Sequence, residues 1–218
     1  GVIHLRCPLG KPQDLQVEAR LARVSLAAGE QSLASDGPLR LTIRDGFLTL
    51  APTRLLGAGT DLLIGGSMVI GGAHEVTAII TGRFDLGLAQ VAFPELRASG
   101  EGVADLRVIQ RMDQITYEGT ITASGGILAH PALPLPMQDL AGHGRFDEGG
   151  FFRVEQAGFL IGGGKVEGSG WARFEGASMP GLHLSLIGEG IRAEIFPELN
   201  AFFDANTAID SQIDAYRF

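Results

Sequence analysis

The sequence predicts an all-β fold. Three observations carry that prediction: apolar residues alternate with polar or small ones over long stretches, glycine-rich turn signals recur between them, and segments that lose the alternation are short and contain proline. The expected architecture is an elongated, strongly curved antiparallel sheet forming a U-shaped groove, a β-taco, with an apolar concave face and one or two short helical turns.

Leu39, Leu41 and Ile43 run in period two into Asp45-Gly46, a dipeptide that tolerates φ > 0, and Leu48 and Leu50 resume the phase beyond it, so a hairpin is expected there. The alternation continues through Leu62, Ile64, Gly66, Met68 and Ile70, then past Gly71-Gly72 through Val76, Ala78 and Ile80. Later runs are Ala104, Leu106 and Val108; Ile115, Tyr117, Gly119 and Ile121; Phe152 and Val154; Val166, Gly168, Gly170 and Ala172; and Leu182, Leu184 and Leu186. Gly125-Gly126, Gly149-Gly150 and Gly162-Gly163-Gly164 read as further turns. Residues 84–93 and 193–205 lose strict alternation, and the proline of a Phe-Pro-Glu-Leu tetrapeptide limits each to one or two helical turns. The tetrapeptides, at 93–96 and 196–199, have similar surroundings, which predicts tandem β-groove repeats over 1–95 and 96–218 in a fragment of a longer protein. Glycines such as Gly82, Gly119 and Gly170 fall inside the strands, where they mark creases of a curved sheet.

Composition narrows the function. Hydrophobic residues are 45% and charged residues 19%, enough apolar material to fold. The net charge is −8 and the basic residues are scattered, so no stripe is offered to a phosphate backbone and nucleic acid is not an expected partner. The single cysteine, Cys7, cannot form an internal disulfide. The longest uncharged stretch, 119–138, holds Pro131, Pro134 and Pro136 and cannot span a bilayer as a helix.

Catalytic and cofactor motifs fail one by one. His4, His74, His130, His143 and His183 form no close pair, so no metal is expected, and the phases of His143 and His183 turn them to solvent. Ser169 lacks the glycines of a nucleophile elbow, and Gly164-Lys165 is followed by Val166 where a phosphate loop needs a hydroxyl. The stretch from Gly188 to Ala193 fits a dinucleotide fingerprint but leaves no room for a βαβ unit. No enzymatic activity and no cofactor are expected. What remains is the apolar alternation, which either fills a sandwich core or lines an open groove. Aromatics are 7%, so a groove would be aliphatic and would accept acyl chains as a class. Its candidate lining is Leu62, Ile64, Met68, Ile70, Val76, Ile80, Ile115, Tyr117, Ile121, Val154, Leu160, Val166, Leu182, Leu184 and Leu186.

Four motifs carry a resemblance: Gly-Arg-Phe-Asp-Leu at 82–86 leading to Phe-Pro-Glu-Leu, the stretch from Tyr117 to Pro134, Asp-Leu-Ala-Gly-His-Gly-Arg-Phe at 139–146, and Gly-Gly-Gly-Lys-Val-Glu-Gly-Ser-Gly at 162–170. In these the chain resembles the TamB (translocation and assembly module) family of the AsmA-like repeating β-groove superfamily, over about residues 60–209. The resemblance implies a periplasmic segment of a protein anchored in the bacterial inner membrane, acting as a noncatalytic conduit for phospholipid between the membranes. It also implies a partner, a BamA-type (TamA-like) outer-membrane barrel, and membrane contact through segments absent here. An alternative role within the same resemblance is a chaperone-like module for outer-membrane barrel assembly or autotransporter secretion, holding strands at an open sheet edge.

Overall fold

The computed structural model describes residues 1–6, 16–28, 31–70, 75–91, 94–112, 114–131, 135–147, 149–175, 178–196 and 199–212. Cys7, His74, the Gly71-Gly72 turn, Phe93, Pro134 and Pro197-Glu198 lie outside them.

The described chain is almost entirely strand: β1 (Val2–Arg6), β2 (Gln16–Leu21), β3 (Ser25–Ala28), β4 (Gln31–Ser35), β5 (Leu39–Arg44), β6 (Phe47–Gly57), β7 (Thr60–Val69), β8 (Glu75–Asp85), β9 (Arg97–Arg111), β10 (Gln114–Ala129), β11 (Met137–Phe146), β12 (Phe151–Ile161), β13 (Gly164–Glu175), β14 (Ser178–Phe196) and β15 (Leu199–Gln212). They form one antiparallel sheet, not closed into a barrel, that follows chain order except where β3 and β4 branch off against β6. Two compact units divide the chain: residues 1–84 with 104–118, and residues 85–103 with 119–218.

In the first unit the Asp45-Gly46 hairpin forms as its residues require, with φ of 52° and 77° and Arg44 paired to Phe47. Strand β6 serves two neighbours on one side. Its first half pairs β5, its second half pairs β4, and a register shift between Leu50 and Thr53 separates them. Pro52, which has no N–H to give a ladder, stands at that shift. On β8, Gly82 has φ 129°, and a Cβ there would lie 2.2 Å from the Asp61 carbonyl oxygen. Only glycine fits both the conformation and the approach.

In the second unit β10 to β15 form a meander with long ladders. Gly162-Gly163 makes a two-residue turn between Ile161 and Gly164, both glycines at positive φ. Two expectations are corrected. Gly125-Gly126 is no turn: it lies within β10, where a register shift between Ala123 and Gly126 absorbs an extra residue. Residues 193–196 and 199–205 are not helical either; they belong to β14 and β15, with Phe196 paired to Leu199. Extended backbone there satisfies a ladder running from Gly181 to Phe196, which outweighs the weak local alternation. The helical expectation at 84–93 is met by a 3-10 helix, Leu86–Val91, whose start is capped by Asp85 Oδ1 accepting from the Gly87 N–H at 2.6 Å.

Candidate functional site

Each unit presents one nearly continuous apolar face, and the registers show how it is assembled. In the first unit Val17 and Ala19 stand opposite Ile43 and Leu41; these face Leu48 and Leu50; and Leu48 faces Met68, which faces Val76. Beyond the β6 shift, Leu55 pairs with Leu62 and Ile64 pairs with Ile80. Paired residues share a face, so these side chains form one patch across five strands. The other face carries Glu18, Arg20, Arg40, Thr42, Arg44, Thr49, Ser67, Thr77 and Arg83 at the alternate positions, with single apolar residues such as Leu63 among them. There Arg54 donates to both carboxylate oxygens of Asp61, and this hydrogen-bonded pair holds the Asp61 carboxyl below its usual range.

In the second unit the face is built from Ile121, Val154, Leu184 and their neighbours, with glycines on the strands between. Ile121 faces Gly144, Gly144 faces Val154, Val154 faces Gly170, and Gly170 faces Leu184. Phe146, Phe152 and Phe174 cluster at one end, with ring centroids 4.8 and 5.7 Å from Phe146. At the other, Phe159, Val166 and Ile191 form a small buried cluster against Met137, Leu140, Ile161 and Leu186.

The burial of these faces decides what they can do. Among the described residues no large side chain is completely buried, and the buried apolar ones are Leu55, Leu62, Ala104, Phe159, Val166, Ala172 and Ile191. Most of each face is partly buried and still in contact with solvent, including Ile64, Met68, Val76, Ile80, Ile121, Val154, Leu182, Leu184 and Leu186. A filled sandwich core would leave such residues nearly inaccessible. A depression of about 850 Å³ lies instead on the polar face of the first unit, around His4, Glu18, Thr42, Arg44 and Thr49. The continuity of the apolar faces across the strands marks them as the site.

Of the expected lining, Leu62, Ile64, Met68, Val76 and Ile80 come together in the first unit, and Ile121, Val154, Val166, Leu182, Leu184 and Leu186 in the second. Ile115 and Tyr117 lie half-buried on β10 in the first unit, and burial raises the Tyr117 phenol above its usual range. Two residues depart from the expectation. Ile70 stands just past β7, 42% exposed, its N–H donating to the Gly46 carbonyl at 2.7 Å. Leu160 falls on the polar face opposite Lys165, because the register shift between Val154 and Ala157 moves the apolar phase to Phe159 and Ile161. Sequence reading also left out Leu48, Leu50, Leu55, Phe152 and Phe159 as face residues; their alternation was the available signal.

His143 and His183 both stand on the polar face, where the His143 Nδ1 lies 3.0 Å from the Thr122 hydroxyl. Among the described residues no group of three His, Cys, Asp or Glu could hold a metal ion, and no helix is long and apolar enough to cross a membrane. Compared with protein-family models, curated proteins and solved structures, the chain matches none.

Proposed function

We propose that this chain is a segment of a noncatalytic lipid-transfer conduit of the TamB type. Acyl chains lie along the apolar face of a curled sheet, and headgroups stay on its open, polar side. In the whole protein, anchored in the inner membrane and partnered by a BamA-type (TamA-like) barrel, the conduit carries phospholipid across the periplasm and contributes to outer-membrane biogenesis. One observation supports this reading above the others: large aliphatic side chains are gathered on one face of each unit and left only partly buried. Such a face leaves apolar surface in water that a guest chain would cover, at about 0.8 kcal/mol per methylene buried. Because the face is mostly apolar, with few polar side chains such as Thr53 on it, many neighbouring positions along it are close in energy and a chain can slide.

The test is phospholipid transfer between donor and acceptor vesicles by the wild-type chain and by Ile121→Arg. A guanidinium beside Gly144 puts a charge into the acyl path, at a cost near the ~2.5–3.5 kcal/mol of a cation in hydrocarbon, which predicts at least about a tenfold slower transfer. Wild-type transfer rates in a folded Ile121→Arg protein would refute the conduit.

A further inference from the structure

One turn of the chain lies on the apolar face of the second unit. The 3-10 helix Leu86–Val91 reads Leu-Gly-Leu-Ala-Gln-Val and carries no charge. Its first residue reaches the sheet: a Cβ at Gly126 of β10 would stand 3.0 Å from Leu86 Cδ1 and 3.1 Å from Leu140 Cβ. Gly126 pairs with Leu140, and Leu140 packs against the cluster of Phe159, Val166 and Ile191. Leu86 therefore sits on the same face as Ile121, Val154 and Leu184. The seat is shallow. Gly126 has no side chain, and Gly100 of β9 comes so near that its Cβ would lie 2.6 Å from Gly126 Cα. The covered alternate positions of β9 beside it are Ala98, Gly100 and Gly102, which raise nothing larger than a methyl group.

Such a strip gives the turn apolar contact without interlocking side chains. The turn is also cheap to unseat, because a short 3-10 helix has poor hydrogen-bond geometry of its own. Its start is held by Asp85 Oδ1 accepting from the Gly87 N–H at 2.6 Å, while Val91 at its far end is 56% exposed. An acyl chain that reached this place would meet the same strip that Leu86 covers. Burial scales with the number of methylenes, and an acyl chain brings more of them than one leucine side chain. The two compete for one surface, and the chain's own occupant is the weaker competitor.

We infer that the Leu86 turn is a gate on the apolar face of the second unit: it covers the Gly126–Leu140 seat when no guest is present and leaves it when an acyl chain arrives. This rests on the conduit reading and adds its regulation. The probe is cis-parinarate, an acyl chain whose emission rises on leaving water. It is titrated into the whole chain and into Leu86→Ala, Asp85→Ala, Leu160→Ser and Ile121→Arg, each checked by circular dichroism for a retained sheet. Hydrogen exchange of residues 86–91 is followed with and without the probe. A closed gate lowers the apparent affinity by the fraction of molecules that stand open, so loosening it tightens binding. The expected result is binding about fivefold or more tighter in Leu86→Ala and in Asp85→Ala, and within about twofold of wild type in the polar-face variant Leu160→Ser. In the wild type the bound probe is expected to speed exchange at 86–91. Affinity within about twofold of wild type, or weaker, in either folded gate variant would overturn the gate, as would a gain in Leu160→Ser equal to theirs. Exchange at 86–91 left unchanged or slowed by the probe would overturn it as well. If wild type binds and Ile121→Arg does not, the conduit reading survives that loss; no binding of the probe by any of the five chains overturns both.

Discussion

Truncating the paired isoleucines Ile64 and Ile80 separates an open apolar face from a filled core by magnitude alone. Isoleucine to alanine removes three carbons, about 2.4 kcal/mol if all of them were taken from water on folding. Both residues are partly buried, more than half covered, so most of that, about 1.5–2 kcal/mol, is at stake for each. No cavity penalty is added, since the space vacated remains open to solvent. Phe159, 8% exposed in the cluster with Val166 and Ile191, supplies the contrast: Phe159→Ala opens an enclosed hole and is expected to cost about 3–5 kcal/mol. The assay is urea unfolding of lipid-free protein, with each change read from the midpoint at constant m. If Ile64→Ala and Ile80→Ala each cost about 3 kcal/mol or more, matching Phe159→Ala, the face is enclosed and the reasoning fails.

Three further outcomes follow from particular residues. Gly162 has φ 57° and its Cβ would fall 2.1 Å from the Arg192 carbonyl oxygen; Gly162→Ala therefore lowers the thermal midpoint by forcing the Gly162-Gly163 turn apart, while Gly163→Ala, with nothing within 4 Å, loses only the ~1–2 kcal/mol of left-handed strain. Burial raises the Asp147 carboxyl, but Arg153 and the backbone N–H groups of Phe151 and Gly149 outweigh it and leave the group below its usual range. A depressed carboxyl stabilises the fold above its unfolded value of ~3.9 and loses that contribution as pH falls through its lower folded value, so a midpoint-versus-pH curve is flat from neutrality to about pH 5 and drops below ~4, with a shallower drop in Asp147→Asn. Leu160→Ser, on the polar face opposite Lys165, leaves vesicle-to-vesicle lipid transfer within about twofold of wild type, whereas Leu184→Asp, opposite Gly170 on the apolar face, reduces it about tenfold or more.

Much of the fold could be read from the residues because period-two alternation and φ > 0 dipeptides are local signals. Asp45-Gly46 and Gly162-Gly163 formed the turns their chemistry requires. The misreadings come from effects that act across strands. Leu160 kept the apparent phase of Val154 in the sequence, yet the bulge shows only when Val154 and Ala157, three residues apart, are found opposite Gly170 and Gly168, two residues apart. Gly125-Gly126 carries the composition of a turn, but the pairing of Gly126 with Leu140 keeps the strand running. Residues 193–205 have weak alternation of their own, and the extended form of 193–196 and 199–205 is set by pairing between β14 and β15. The ring contacts of Trp171 with Phe151 and His183 had no sequence signature: the three residues lie on three strands and meet only through register.

The partly buried apolar faces are tested most directly by placing a photoreactive amino acid at Ile64 and at Ile121, and at the polar-face positions Ser67 and Thr120, and irradiating the protein in cells. Lipid adducts at Ile64 and Ile121, with none at Ser67 and Thr120, are the predicted result. Adducts to peptide alone, or lipid adducts equally frequent on both faces, would contradict it.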